Sequence, residues 1–181
     1  RAIEVIPVEL IEKSSRTADV AVITIGRVFG AGKDRNLHYR YLLSDREQEL
    51  IDRISEAFHA EGKKVVVVLN IGGYVEMCSW QDKVDAVLLC WQPGQEGGNT
   101  VASVLCGDVN PSGHLPSTIS VSYELEPTAG NFPQIYADKP FNYSYYRQIK
   151  GRKLPMDTVK DIDYTLYDEG IFMGYRYFNT Y

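Results

Sequence analysis

Four charged side chains crowd one short stretch. Arg27, Lys33, Asp34 and Arg35 lie within Gly26–Arg35, read GRVFGAGKDR. The preceding residues Val20 to Ile25 (VAVITI) are apolar and largely β-branched, which predicts a strand. Three glycines then interrupt it, so the charges belong to a loop at a strand's carboxyl end. Open α/β sheets bind ligands there. Such groups can hydrogen-bond the hydroxyls of a sugar, or pair with one another and with solvent; residue type alone leaves both open. A dinucleotide site is a poor match. Gly26-x-x-x-Gly30-x-Gly32 has the wrong spacing and Asp34-Arg35-Asn36 follows instead of a helix, so no nucleotide cofactor is expected.

The elements around this loop are legible as patterns. Pro7 to Thr17 reads as a short helix with Pro7 at its start. Ser44-Asp45-Arg46-Glu47 has the capping-box form, and Leu50, Ile51, Ile54 and Phe58 form one apolar stripe behind it. Glu61-Gly62-Lys63 ends that helix, and Lys64 to Leu69 (KVVVVL) is the next buried strand. Asn70-Ile71-Gly72-Gly73 is a strand-end loop, and Val75 to Trp80 a short helical turn. Asp85 to Trp91 carries an apolar run that suits a strand buried on both faces. A glycine-rich turn (Gln92 to Gly98) leads to a helix over Asn99 to Cys106, with Gly107 placed to stop it. A turn at Asn110–Gly113 precedes a last strand over Ser117 to Ser122. This alternation predicts an α/β domain over residues 1–181: a mostly parallel sheet with helices on both faces, an α/β/α sandwich. From Glu124 to Asp168 the pattern dissolves into long loops, and the carboxyl-terminal segment is irregular and tyrosine-rich. Nine of the thirteen tyrosines fall between Tyr136 and Tyr181. Flat rings suit sugar faces, but rings that seal loops against neighbouring domains fit the pattern better.

Composition narrows the function. The 181 residues are 44% apolar and 24% charged, ordinary values for a globular chain. A formal charge of −5 argues against nucleic acid as a partner, and no apolar run is long enough to cross a membrane as a helix. Cys78, Cys90 and Cys106 lack zinc-site spacing and read as buried thiols without a disulfide. His38, His59 and His114 are far apart and form no metal or nucleophile constellation, so they read as solvated or hydrogen-bonded histidines; no metal is expected.

Four segments in order resemble one family. The Gly26–Arg35 loop followed by Leu43-Ser44-Asp45 is similar to the first-strand loop of the second domain of family 3 glycoside hydrolases, the β-glucosidase family. So are Val68-Leu69-Asn70-Ile71-Gly72-Gly73, the WQPGQEGG run from Trp91 to Gly98, and Glu169-Gly170-Ile171-Phe172-Met173-Gly174-Tyr175-Arg176-Tyr177. The resemblance spans most of the chain. It implies the second domain of a retaining β-glycosidase, whose nucleophilic Asp lies on a (β/α)8 barrel domain absent from this chain. The domain here would form one wall of the sugar pocket and normally supply the general acid/base Glu, on a β-linked glucoside or oligosaccharide. Retaining chemistry needs the two carboxyls roughly 5–5.5 Å apart.

The position matching that Glu is Ala31, and a methyl group cannot move a proton. A replaced residue, a natural divergence, or a carboxylate elsewhere would each account for it. Asp34 is nearest but matches the family's own Asp-Arg pair, and Glu96 at a helix start suits a structural role. The domain alone is therefore expected to be inactive. The alternative is a non-catalytic α/β module that binds carbohydrate or a protein. Glycone, linkage, compartment and oligomeric state are not fixed by these residues.

Overall fold

A computed structural model describes residues 5–27, 40–129 and 169–181. The described residues fall into two compact units, 5–27 with 40–114 and 115–129 with 169–181.

The first unit is built on a three-stranded parallel sheet: β1 (Val20–Arg27), β2 (Lys64–Ile71) and β3 (Ala86–Leu89), in that order. The register pairs Ile25 with Leu69 and Leu69 with Leu89, so side chains of like parity share a face. On one face Val65, Val67, Leu69 and Ile71 are at most 1% exposed. They pack with Ala21, Ile23 and Ile25 of β1 and with Ile51, Phe58 and Trp80. The other face of β1 is open, and Val20 and Val22 are close to half exposed.

Helix α1 (Val8–Thr17) starts at Pro7, whose carbonyl accepts the Leu10 and Ile11 amides at 3.1 and 3.3 Å. Its Ile11 and Ser15, one turn apart, are buried. Helix α2 (Asp45–Ala60) opens on the capping box and buries Ile51, Ser55 and Phe58. Gly62, at φ 70°, then turns the chain back into β2. Lys63 Nζ donates to the Ser15 carbonyl at 2.6 Å, and Arg53 Nη2 to the Ile6 carbonyl at 2.9 Å, pinning α1 beside α2.

Between β2 and β3 the chain folds over the core. Trp80 is fully buried, and its Nε1 donates to the Glu76 carbonyl at 2.6 Å. Glu76, itself buried, accepts from Ser79 N at 2.8 Å and Ser79 Oγ at 2.6 Å. A 3-10 turn at Gln81–Lys83 completes the connection. At the amino-terminal edge of the sheet Asp85 collects three donors: Lys64 Nζ at 2.7 Å, Val65 N at 2.8 Å and the ring Nε2 of His59 at 2.9 Å. The Lys64 bond, then the Val65 and His59 bonds, hold its carboxyl well below the usual range against a small opposing effect of burial.

The α/β class and parallel strands are as the sequence predicts; three local expectations are not. Among the described residues strand β3 is a half-buried edge, while β2 is enclosed as expected. An apolar run cannot by itself distinguish the two. The strand expected at Ser117–Ser122 is irregular. Ser120 Oγ donates to the Ser122 carbonyl at 2.7 Å, a local bond of the kind that competes with a strand ladder, and Val121 is exposed. The thiols are free as expected but not buried: Cys78 and Cys106 are exposed and Cys90 half-buried. Cys78 sits in the turn before Trp80, beside Met77 that packs on the core, and Cys106 caps α3 (Gly97–Leu105) next to Leu105, which is exposed as well.

The second unit holds a 3-10 turn at Tyr123–Leu125 and a short helix α4 (Tyr175–Phe178). Around α4 the rings of Phe172, Tyr177 and Tyr181 stack edge-on or tilted at 5.3–5.7 Å. Most of the long loops expected over 124–168 lie outside the described residues, as does the greater part of the tyrosine-rich segment.

Candidate functional site

Parallel strands deliver their carboxyl ends to one edge. Here that edge gathers Arg27 at the end of β1, Asn70 and Ile71 at the end of β2, and Cys90 and Trp91 just beyond β3. Gly26 stands beside Asn70 and Arg27 beside Ile71 in the register.

Arg27 does not extend into solvent. Its Nη1 donates to Glu47 Oε1 at 2.6 Å and its Nη2 to Glu47 Oε2 at 2.7 Å, a bidentate pair whose side chains are each 12% exposed. Nη1 also reaches the Gly26 carbonyl at 3.0 Å. Nε is buried and has no hydrogen-bond partner among the described residues. Glu47 is the third residue of α2, and its Oε2 also accepts Ser44 N at 2.8 Å and Ser44 Oγ at 2.9 Å. Burial pushes the Glu47 carboxyl up, but the bonds and charge of Arg27 and the Ser44 bonds outweigh it, and the net direction is down.

Beyond β3 the backbone is constrained. Cys90 N and Sγ both point at the Leu69 carbonyl at 3.1 Å, and burial raises the thiol's pKa. Trp91 adopts φ 53°, the left-handed region that bulky residues avoid. Its ring meets Tyr74 edge-on with centroids 5.2 Å apart. The following turn is tight: Gly94 is at φ 75°, and a Cβ on Gly97 would lie 2.6 Å from Pro93 Cγ. Glu96 accepts Asn99 Nδ2 at 2.7 Å, and its carbonyl accepts the Thr100 hydroxyl at 3.0 Å, so it braces the first turn of α3.

Of the residues singled out from sequence, Arg27 is thus engaged by Glu47, while Ala31, Lys33, Asp34 and Arg35 lie outside the described residues, with His38. Among the described residues no three His, Cys, Asp or Glu side chains group as a metal site. The sequence pattern marked Glu47 as a cap but gave no sign that it also holds Arg27, because a capping box records spacing and not what else the carboxylate reaches. The left-handed Trp91 left no signal at all, since such a position is normally announced by glycine or asparagine.

The model of the glycosyl hydrolase family 3 C-terminal domain matches residues 8–175. A beta-glucosidase of Ruminococcus albus is 31% identical over 174 residues, 95% of this chain and 15% of that protein. One of Rhizobium radiobacter is 35% identical over 169 residues, 93% of this chain and 17% of that protein. Among solved structures, beta-glucosidase 3B from Thermotoga neapolitana in complex with glucose superposes with a TM-score of 0.79 at 41% identity, over 97% of this chain and 22% of that one. The chain therefore spans about a fifth or less of the length of these relatives. With the parallel sheet, the capped α2 and the glycine-rich turn before α3 all in place, the chain belongs to the glycosyl hydrolase family 3 C-terminal domain family.

Proposed function

We propose that this domain forms one wall of the sugar pocket of a retaining β-glycosidase acting on β-linked glucosides. A barrel domain outside this chain supplies the nucleophilic carboxylate. That group attacks the anomeric carbon while the bond to the leaving oxygen breaks, and a general acid protonates that oxygen. Water then displaces the enzyme carboxylate from the anomeric carbon and gives its proton to the same acid/base group. The place for that group in this domain is residue 31, on the segment that leaves β1 after Arg27. Lys33, Asp34 and Arg35 contact sugar hydroxyls from the same segment.

The observation that carries this reading is the family match across residues 8–175. With Ala at 31, protonation of the leaving group has no donor. Loss of a positioned acid/base costs about 10²–10⁴ in rate. The test uses the full-length parent with Ala31→Glu. Cellobiose hydrolysis should rise by about two to four orders of magnitude over the Ala form. In kcat/KM, which reports the first step alone, dinitrophenyl glucoside, whose leaving group needs no proton, should gain far less. No gain on cellobiose would move the acid/base elsewhere.

Ala31 itself also favours a second reading, a non-catalytic carbohydrate-binding module. Titrating glucose against this chain alone separates the two, because half a pocket binds poorly and a dedicated module binds without its neighbour.

A further inference from the structure

Most of what stands at the carboxyl-terminal edge of the sheet is already engaged. Arg27 is held by Glu47, Ile71 is 1% exposed, and the Cys90 thiol points at the Leu69 carbonyl. Two side chains on that edge are used differently. Asn70, next to last in β2, is exposed, and Trp91, two residues past β3, is half-buried. Trp91 follows a fixed point, because the Cys90 amide donates to the Leu69 carbonyl at 3.1 Å.

Tryptophan is an unfavourable choice there. At φ 53° the backbone is left-handed, a conformation that glycine takes without strain. Burial in the core does not offset this. Among the described residues neither Trp91 nor Tyr74, also half-buried, belongs to the apolar cluster or packs against it. The two rings meet at 62° with centroids 5.2 Å apart, and an edge contact of this kind covers a face of at most one of them. Aromatic surface is thus left over at the edge where α/β folds take their ligands. Strained backbone that local packing does not explain clusters at such sites. A flat apolar face on one edge with a carboxamide matches a pyranose, whose axial C–H groups stack and whose hydroxyls hydrogen-bond. We propose that Trp91 is a sugar-binding residue, its indole stacking on a pyranose ring of the substrate, with the Asn70 amide on the same edge as a partner for hydroxyls. This rests on the reading of the domain as one wall of a sugar pocket.

The test is calorimetric titration of the full-length parent with the sulfur-linked analogue of cellobiose, which resists hydrolysis. The parent is compared unaltered, as Trp91→Gly, which removes the ring and relieves the backbone, and as Trp91→Phe, which keeps a ring. Trp91→Gly should weaken binding about 3–10-fold and Trp91→Phe should recover most of the loss, with little change in the melting temperature of the free proteins. Unchanged binding by Trp91→Gly would overturn the ring contact and leave the pocket reading standing. A loss that Trp91→Phe does not restore, or one that accompanies a large fall in melting temperature, would also overturn it and make Trp91 a seal against a neighbouring domain. Failure of the unaltered parent to bind the analogue at all would sink the pocket reading itself, and this proposal with it.

Discussion

The two ends of the parallel sheet each carry a carboxylate that binds several partners, and the two are built differently. At the carboxyl-terminal edge Glu47 holds an arginine fork and a serine in a site where both charged side chains are 12% exposed. At the amino-terminal edge Asp85 holds Lys64, His59 and the Val65 amide, with the Lys64 side chain 69% exposed and that of His59 42% exposed. Both carboxyls are held below their ordinary range, that of Asp85 well below it. The first arrangement is geometrically specific, dry, and costly to break. The second is pliable and screened, and it fastens the starts of β2 and β3 without fixing a direction. Precision is concentrated at the end of the sheet where α/β folds place their ligands.

Removing each carboxylate should break the two ends unequally. Glu47→Ala leaves Arg27 buried without its partner and uncaps α2, and should cost about 3–5 kcal/mol in a urea melt. The loss should persist in 1 M salt, because the pair is shielded from solvent. A loss that salt erases would make the two edges alike.

Next in size is Gly97→Ala, which tests whether the turn beyond β3 shares the rigidity of the Arg27 side. The added methyl would meet the ring of Pro93 at 2.6 Å, and a proline ring has little room to yield. A destabilisation of about 1–3 kcal/mol is expected, read as a drop in urea midpoint. Near-neutrality would show that the turn relaxes.

Asp85→Asn should give a smaller loss whose dependence on pH and salt identifies it. The folded carboxyl is depressed, so its contribution is fully present above the unfolded value of about 3.9 and is lost as pH falls toward the folded value. The gap in melting temperature between wild type and variant should be constant from pH 7 to 5, close below pH 4, and shrink in high salt. A gap that widens on acidification would contradict the sign.

The smallest effect belongs to Trp91→Gly. Relief of the left-handed backbone, worth about 1 kcal/mol, opposes loss of the contact with Tyr74 of similar size, so the melting temperature should barely move. A large fall would mean that the ring carries more of the packing than its edge contact suggests.

Much of this was readable in the chain. VAVITI and KVVVVL announced β1 and β2 because a β-branched run bounded by glycines has few other homes, and Ser44-x-x-Glu47 marked the start of α2 to the residue. The WQPGQEGG turn gave the entry to α3. What failed was whatever depends on partners distant in sequence. Val87-Leu88-Leu89 looks enclosed but lies on an edge, because burial is decided by what lies beyond the strand. Cys78 and Cys106 have apolar neighbours yet face outward. At the site, Arg27 was legible as a charge at the end of β1, but its engagement by a residue twenty positions away was not. Pairing of that kind follows from the register of β1 against α2, which no local pattern encodes.

The central claim is that this domain presents residue 31 to a sugar held against a neighbouring domain. Its most direct test is a crystal structure of the full-length parent, as Ala31→Glu, with glucose bound. The account predicts the Glu carboxyl on the leaving-group side of the anomeric carbon, roughly 5–5.5 Å from the nucleophilic carboxylate. Residue 31 turned away from the sugar, or separated from it by another wall, would contradict the account.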